Sequence, residues 1–207
     1  MELEKLEEKI GYKFKDKELL KKALRHTSYA NEHKVQSNEK LEFLGDSILE
    51  FITSKYLYKT YTNLKEGEMT KVRASVVCEK SLYKVAKMHD FSDFLYLGKS
   101  ETQTGGKNRP AILADSVEAI IAAIYIDGGI DVAEKFIIEN LKDSIEFETK
   151  HVGDKDYKTV LQETGPDHDK KFEAEVKKNG EILAKGEGKS KKEAEMKAAK
   201  KALENLK

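Results

Sequence analysis

Two short segments of the sequence carry acidic residues at the spacing of one helix face. In the first segment, Glu39, Glu42 and Asp46 are three and four residues apart, which places them on one side of an α-helix. In the second segment, Asp115 and Glu118 are three residues apart. Carboxylates crowded on one helix face repel each other unless a cation neutralises them. The spacing therefore predicts a site for hard divalent cations, which bind carboxylate oxygens.

Apolar residues occupy the other side of both predicted helices. In the first helix they are Leu41, Leu44, Ile48, Phe51 and Ile52, and in the second they are Val117, Ile120, Ile121 and Ile124. Such apolar faces pack into a core. The carboxylates are therefore expected at the edge of that core, where an unpaired charge is costly.

Two interpretations of the acids are open at this point. In the first, each acid is a solvated surface residue, which suits a chain in which 37% of the residues are charged. In the second, the two acidic stripes form an all-oxygen site for Mg²⁺, which activates water and stabilises the departing oxygen in phosphodiester hydrolysis. Two such stripes on two apolar helices favour the second interpretation. The spacing does not identify the substrate.

The charges are unevenly placed along a chain whose net charge is zero, with 38 basic and 38 acidic residues. Residues 189–201 contain six lysines and only Glu193 and Glu195 as acids. This imbalance predicts that the C-terminal segment meets phosphates, while the acids of the interior meet cations.

The cysteine content and the hydropathy of the sequence indicate in which compartment the protein is found. The single cysteine, Cys78, excludes an internal disulfide and indicates a reducing compartment, so the predicted localisation is cytoplasmic. One cysteine and scattered histidines give no pattern for a zinc cluster. The longest apolar run, 119–126, is too short to cross a bilayer. The N-terminus, MELEKLEEKI, is unlike a secretory signal. No membrane association is therefore expected.

The sequence predicts a mainly α protein of two domains. Apolar residues at helical spacing predict an all-helical domain over 1–148, with helices near 2–10, 16–30, 39–59, 66–75, 79–89, 111–127 and 131–147. Residues 98–110 are predicted to be a loop, and 149–155 a flexible linker. The remaining residues, 156–207, predict a small α+β domain in the order α–β–β–α, with a first helix over 157–163 and a hairpin turn at Asn179-Gly180.

Both acidic segments resemble motifs of the ribonuclease III family. NEKLEFLGDS (38–47) is similar to the family signature, ILADSVEAIIAAIYIDGG (112–129) to its second motif, and HTSYANE (26–32) to the segment upstream of the signature. The resemblance implies an all-helical endonuclease domain that uses Mg²⁺, with Mn²⁺ as a substitute. It implies four metal-binding acids, of which Asp46 and Glu118 are catalytic: Glu42, Asp46, Asp115 and Glu118. It further implies Glu39 and Glu66 as supporting acids in the cleft.

The same resemblance implies a homodimer with one cleavage centre in each subunit. In that arrangement Phe43 and Gly45 are interface residues, although core packing is an equally good explanation of Phe43.

The C-terminal segment resembles the double-stranded-RNA-binding domain, whose order is α–β–β–β–α. The resemblance implies RNA contacts from three groups of residues: Thr159, Gln162 and Glu163 on the first helix, His168 in a loop, and Lys189, Lys191 and Lys192 at the last helix. This sequence departs from the family pattern between Glu163 and Gly165, where the rest of the first helix and the first strand are absent. Either this domain is shortened or the sequence omits residues of the protein.

Three functions are compatible with these features. The first is an endoribonuclease of double-stranded RNA that leaves 5′ phosphates and staggered 3′ overhangs, and that acts in ribosomal RNA precursor processing and turnover of structured mRNA. The second is a non-cleaving double-stranded-RNA-binding regulatory protein. The third is a phosphohydrolase of small esters. The full set of acids favours the first, and no small-molecule organic cofactor is expected.

Overall fold

The described residues of the computed structural model are 2–152, 157–164, 171–178 and 181–205. The chain divides into two units, the first ending at Thr149 and the second beginning at Lys150. In the described residues, no helix is long and apolar enough to span a membrane.

Helices make up the first unit, as the sequence predicts. They are α1 (Glu2–Ile10), α2 (Lys17–Ala23), α3 (Thr27–His33), α4 (Glu39–Thr60), α5 (Glu66–Val76), α6 (Glu79–Met88), α7 (Lys99–Gln103), α8 (Pro110–Gly128) and α9 (Ile130–His151). Short 3₁₀ turns lie at Phe91–Asp93 and Gly106–Asn108. Since α9 ends at His151, the first residues of the predicted linker are helical.

Two details of the helix prediction are wrong. The single helix expected over 16–30 is two helices, because the chain turns after Ala23 and His26 starts α3 by accepting a hydrogen bond from the backbone N–H of Ser28. The loop expected over 98–110 contains α7 and a 3₁₀ turn. Five residues of helix are too few to show a periodic apolar pattern.

Helix α8 runs through the middle of the first unit. Pro110 suits its first turn because that position needs no N–H donor, and Gly129 ends it with a positive φ of 89°. Eleven of its residues are buried, from Ile112 to Ile124. A helix that is apolar on nearly every side is stable only inside a core.

Helix α4 packs along α8 through the apolar face that the sequence predicts. Leu41, Ile48 and Ile52 are buried, and Leu44 is half-buried. The assignment of Phe51 to this face is wrong, since its side chain is 59% exposed. At 100° per residue, residue 51 lies about 60° around the helix from residue 48, on the side away from the buried residues 45, 49 and 52, which places it off the buried stripe.

The second unit is a three-stranded antiparallel sheet covered by one helix. The strands β1 (Tyr157–Thr164), β2 (Lys171–Lys178) and β3 (Glu181–Gly188) follow in that order, and α10 (Lys191–Asn205) packs on β2 and β3. The buried core contains Val176 and five alanines: Ala174, Ala184, Ala194, Ala198 and Ala202. Small side chains allow close approach, and a Cβ at Gly186 would lie 2.3 Å from the backbone nitrogen of Ala198.

The helix predicted over 157–163 is wrong, because this segment is strand β1 and pairs with β2 from Tyr157–Lys178 to Thr164–Lys171. The sheet therefore has three strands, and the expected lack of one strand is also wrong. Tyr, Thr and Val in this segment favour strands, and pairing satisfies the backbone groups along the edge of β2. Residues 179 and 180 of the predicted hairpin turn lie outside the described residues.

Candidate metal centre and nucleic-acid interface

The two acidic stripes meet where α4 and α8 touch. Gly45 is buried against α8, and a Cβ at this position would lie 1.8 Å from the backbone oxygen of Glu118. Only a residue without a side chain permits this approach. Because Gly45 lies between Glu42 and Asp46 in the chain, the contact brings both of these acids toward Glu118.

Three of the predicted metal ligands form one group. Carboxylate oxygens of Glu42, Asp115 and Glu118 lie within 4.8 Å of one another, and all three residues are half-buried. Asp46, one helical turn after Glu42, is exposed, and its charge acts on the carboxyls of both Glu42 and Glu118. The structure thus brings Glu42, Asp115 and Glu118 together, with Asp46 beside them.

Burial and mutual repulsion raise the pKa of three of these carboxyls. The pKa of Glu118 rises to about 8, mainly through burial and then through the charges of Asp46, Asp115 and Glu42. The pKa of Glu42 is raised by burial and by its acidic neighbours. Burial also raises the pKa of Asp115, and the charge of Glu79, an acid that the sequence analysis missed, adds to the rise.

This donor set suits a hard divalent cation. Every charge that raises the pKa of Glu118 belongs to another carboxylate. The ligand atoms are all oxygens, as Mg²⁺ and Mn²⁺ prefer. A bound cation would offset both the repulsion and the cost of burying the charged forms.

The two supporting acids lie in different places. Glu39 is exposed at the start of α4, where it accepts a hydrogen bond of 2.7 Å from the hydroxyl of Ser37, and its charge acts on Glu42. Glu66 is exposed at the start of α5 and accepts a hydrogen bond of 3.0 Å from the Thr70 hydroxyl. Within this chain, the structure does not place Glu66 in the group of three close carboxylates.

Comparison with known proteins assigns the family. Residues 16–145 match the family model described as Ribonuclease-III-like, and residues 148–206 match the double-stranded RNA binding motif. A protein named Ribonuclease 3 from Clostridium tetani is 46% identical over 224 aligned positions, which cover 100% of this chain and 95% of that protein. This chain belongs to the ribonuclease III family.

Other ribonuclease III proteins support the assignment. Ribonuclease 3 from Listeria monocytogenes is 44% identical, and the alignment covers 98% of this chain and 97% of the relative. The solved nuclease domain of ribonuclease III from Campylobacter jejuni, described as flexible in a region involved in dimer formation, superposes with a TM-score of 0.65. It is 39% identical and covers 69% of this chain and 97% of its own.

One side of α4 carries exposed aromatic residues in this ribonuclease III chain. The side chains of Phe43, Phe51 and Tyr58 are 78%, 59% and 74% exposed. Core packing is therefore the wrong explanation of Phe43 within one chain. Gly45, for which the resemblance implies a place at the interface between subunits, contacts α8 of its own chain.

The predicted phosphate-binding lysines surround the start of α10. Ser190 and Glu193 form a reciprocal cap, in which Ser190 Oγ accepts from the Glu193 N–H and Glu193 Oε2 accepts from the Lys189 N–H. Lys189, Lys191 and Lys192 are exposed at this end of the helix. Backbone N–H groups and lysines at a helix start attract phosphate.

The other predicted RNA contacts lie in strand β1 or outside the described residues. Thr159, Gln162 and Glu163 lie in β1, so the helical surface expected to carry them is not formed. His168 lies outside the described residues.

Proposed function

We propose that Glu42, Asp46, Asp115 and Glu118 form the active site of this ribonuclease III, with Mg²⁺ or Mn²⁺ as the cofactor and with Asp46 and Glu118 as catalytic residues. The observation that carries the proposal is the convergence of Glu42, Asp115 and Glu118 within 4.8 Å. As a member of its family with a double-stranded RNA binding motif, the chain is an endoribonuclease of double-stranded RNA.

Cleavage of an RNA strand is the hydrolysis of a phosphodiester bond. Water attacks phosphorus, the bond to the 3′ oxygen breaks, and the products carry a 5′ phosphate and a 3′ hydroxyl. When bound, divalent cations supply a water that loses its proton near neutral pH and positive charge that stabilises the transition state.

The protein's part is to hold the carboxylates in place and to control their protonation. Helices α4 and α8 fix the four acids on packed backbone, so little reorganisation is needed on binding. Glu118, with a pKa of about 8, holds a proton at neutral pH. Cation binding favours release of that proton, because metal ligands must be ionised. Binding is therefore expected to strengthen as the pH rises toward 8.

A homodimer is the assembly we propose. The exposed aromatic side of α4, with Phe43, Phe51 and Tyr58, provides apolar surface for a second copy. Two copies related by a two-fold axis place two active sites on one duplex. Each site then cuts one strand, which gives staggered 3′ overhangs.

The second unit supplies RNA affinity through the start of α10. Lys189, Lys191 and Lys192 bind phosphates across the duplex, largely without regard to sequence. Thr159, Gln162, Glu163 and His168 remain proposed contacts on the strength of the resemblance alone. The alignment with the Clostridium tetani relative spans 224 positions against 207 residues here. That relative therefore has residues that this chain lacks, and we propose that they lie between Glu163 and Gly165, where the chain departs from the family pattern.

Cellular roles follow from the substrate class. We propose cytoplasmic processing of ribosomal RNA precursors and turnover of structured mRNA. The exposed free cysteine, Cys78, is compatible with the reducing cytoplasm.

The decisive experiment incubates the protein with a long RNA duplex, with Mg²⁺ or with chelator. Short products with 5′ phosphates are expected only with Mg²⁺. Glu118→Gln is expected to bind the duplex without cutting it, and Glu139→Gln, which changes an exposed acid of α9, should cut normally. An uncut duplex that still shifts on a native gel with the wild-type protein would support the regulatory binding protein instead.

A further inference from the structure

A groove of about 490 Å³ lies in the first unit, between the start of α6 and the second half of α9. Ser75 and Val76, the last residues of α5, also line it. The acids that we propose for the active site are not among the lining residues. Sites for small molecules usually have volumes of about 300–1,000 Å³. The groove is therefore large enough for a small ligand, and its residues are not those of the metal centre.

A buried hydroxyl in this groove lacks a hydrogen-bond partner. Ser81 lines the groove and is 8% exposed. Its backbone N–H donates to the carbonyl of Cys78 at 2.9 Å, but among the described residues nothing forms a hydrogen bond with its hydroxyl. Burying a hydroxyl without a partner is unfavourable. Ser81 therefore indicates that the groove holds a polar ligand.

The only cysteine of the chain lies in the same groove. Cys78 is free and exposed, and its Sγ donates to the carbonyl of Ser75 at 3.2 Å. It immediately precedes α6, and its side chain does not cap that helix. The backbone N–H groups at the start of α6, with their partial positive charge, are therefore available to an anionic group beside the sulfur.

Charged side chains of both signs line the groove. Lys80 and Lys84 are exposed one helical turn apart on α6, and α9 contributes the exposed Asp143 and the half-buried Glu148. Within the described part of the chain, neither lysine has an ion-pair partner, and Asp143 has none either. Phe147, one turn after Asp143, is 57% exposed and adds an apolar surface. The groove thus combines a thiol with partners for a carboxylate, an ammonium group and an apolar carbon chain.

We propose that Cys78 is a modification site that forms a mixed disulfide with a small peptide-like thiol carrying both carboxylate and ammonium groups. The carboxylates bind Lys80, Lys84 and the start of α6, and the ammonium group binds Asp143. The hydroxyl of Ser81 forms a hydrogen bond with a polar group of the ligand. This inference does not rest on the proposed nuclease function.

The reaction is an exchange with a low-molecular-weight disulfide. The Cys78 sulfur gives its proton to water and attacks one sulfur of that disulfide, whose sulfur–sulfur bond breaks. The other half leaves as a thiolate and takes up a proton. One disulfide is consumed and one is formed, so the exchange needs no other oxidant. An excess of the reduced thiol reverses the modification.

The measurement compares two disulfides in their reaction with the full chain. Oxidised glutathione carries carboxylate and ammonium groups, whereas bis(2-hydroxyethyl) disulfide is uncharged. The mass of the intact protein gives each rate, and the single cysteine makes the modified position unambiguous. We expect the rate with glutathione over that with the uncharged disulfide to be about 10-fold higher in the folded than in the urea-unfolded protein, the combined effect of two or three exposed ion pairs. Equal ratios would show an ordinary surface thiol and would overturn the inference.

Lysine substitutions test the carboxylate contacts. Lys80→Gln and Lys84→Gln are each expected to lower the rate with oxidised glutathione about 2- to 5-fold relative to the uncharged disulfide, which is the size of an exposed ion pair. Lys87→Gln is the matched control, because Lys87 is exposed on the same helix and does not line the groove. An equal loss in Lys87→Gln would mean that overall charge sets the rate, which contradicts binding in the groove.

The direction of the effect of Asp143→Asn separates binding from general electrostatics. Oxidised glutathione is a net anion, so removing a nearby negative charge speeds the reaction if only net charge matters. If Asp143 binds the ammonium group, the same change slows the reaction about 2- to 5-fold. Glu139→Gln, which removes an exposed acid of α9 outside the groove, should not slow it. A faster reaction with Asp143→Asn would contradict the inference.

Ser81→Ala tests the buried hydroxyl. Because this hydroxyl has no partner among the described residues, its removal should not lower the melting temperature. The ratio of the two rates should fall toward that of the unfolded protein. An unchanged ratio in the folded variant would contradict the proposed contact between this hydroxyl and the ligand.

Discussion

A side-chain carbon at Gly45 would lie 1.8 Å from the backbone oxygen of Glu118 and 2.5 Å from its carbonyl carbon. Helices α4 and α8 therefore touch backbone to backbone at the active site that we propose. The distance between the two acidic stripes depends on this one missing side chain.

Gly45→Ala is expected to push the two helices apart and to reduce cleavage about 100-fold, since displacements of about 1 Å in an active site have effects of this size. Overpacking should also lower the free energy of unfolding by about 1–3 kcal/mol. Cleavage rates and urea unfolding measure the two effects.

Gly67→Ala serves as the stability control for this change. A Cβ at Gly67, also in a helix, would meet nothing within 4 Å. Alanine there should leave stability unchanged or raise it by about 0.5–1 kcal/mol. Wild-type cleavage by Gly45→Ala would show that the close contact does not position the acids.

Stability of the metal-free protein is expected to fall as the pH rises. The pKa of Glu118 is about 8 in the folded protein against 4.5 normally, so between these values the folded state binds more protons than the unfolded state. Stability then decreases with pH across this window and becomes level above it. The raised pKa values of Glu42 and Asp115 act in the same direction.

The variant Glu118→Gln measures how much of this pH dependence of stability comes from the Glu118 carboxyl. In chelator, the melting temperature of the wild type minus that of the variant should fall between pH 5 and pH 8, by on the order of 5 °C. Mg²⁺ at pH 8 should stabilise the wild type and have little effect on the variant. A difference that stays constant across this range would contradict the raised pKa.

The sequence was most informative where long helices carry both an apolar face and a chemical pattern. The stripes with Glu42 and Glu118 could be predicted because helical spacing alone places the acids of each stripe on one side. The crossing at Gly45 could not, since it depends on which helix packs against α4.

The segment 157–164 shows why local patterns fail in a small domain. Residues 157–163 are predicted from the sequence to be a helix, yet they belong to a strand that pairs with β2. Helix and strand preferences are nearly balanced in this segment, so the pairing requirement of the neighbouring strand decides the outcome.

Thr53→Val is expected to stabilise the protein. In the described part of the chain, the Thr53 hydroxyl is buried within α4 and has no hydrogen-bond partner. Valine has nearly the same shape without the buried polar atom, so the free energy of unfolding should rise by about 1 kcal/mol and the melting temperature by about 2–4 °C. Thermal unfolding measures the change.

Ser116→Ala provides the contrast to that substitution. The buried Ser116 hydroxyl donates to the carbonyl of Leu113 at 2.7 Å, so its loss should not stabilise the protein. If Thr53→Val lowers the melting temperature, the hydroxyl has a partner in solution.

Phe43→Asp is expected to give a monomer with little cleavage activity. An exposed apolar ring is favourable on α4 only if a second copy covers it, and a buried unpaired carboxylate would prevent that contact. Light scattering after gel filtration reports the mass, and cleavage of an RNA duplex reports the activity. Met88→Asp, which changes another exposed apolar residue, on α6, should remain dimeric. A monomeric wild-type protein would contradict the proposed assembly.

Replacing Lys191 and Lys192 with alanine should weaken binding to duplex RNA without changing the active site. Both lysines lie at the start of α10, where backbone N–H groups also attract phosphate. Each lost phosphate contact should reduce the slope of log affinity against log salt by about 1. Alanine at Lys200 and Lys201, exposed in the last part of α10, removes the same charge at a different place. If both double substitutions weaken RNA binding equally, the start of α10 has no special role. General attraction between the lysines and the RNA phosphates would then account for the binding.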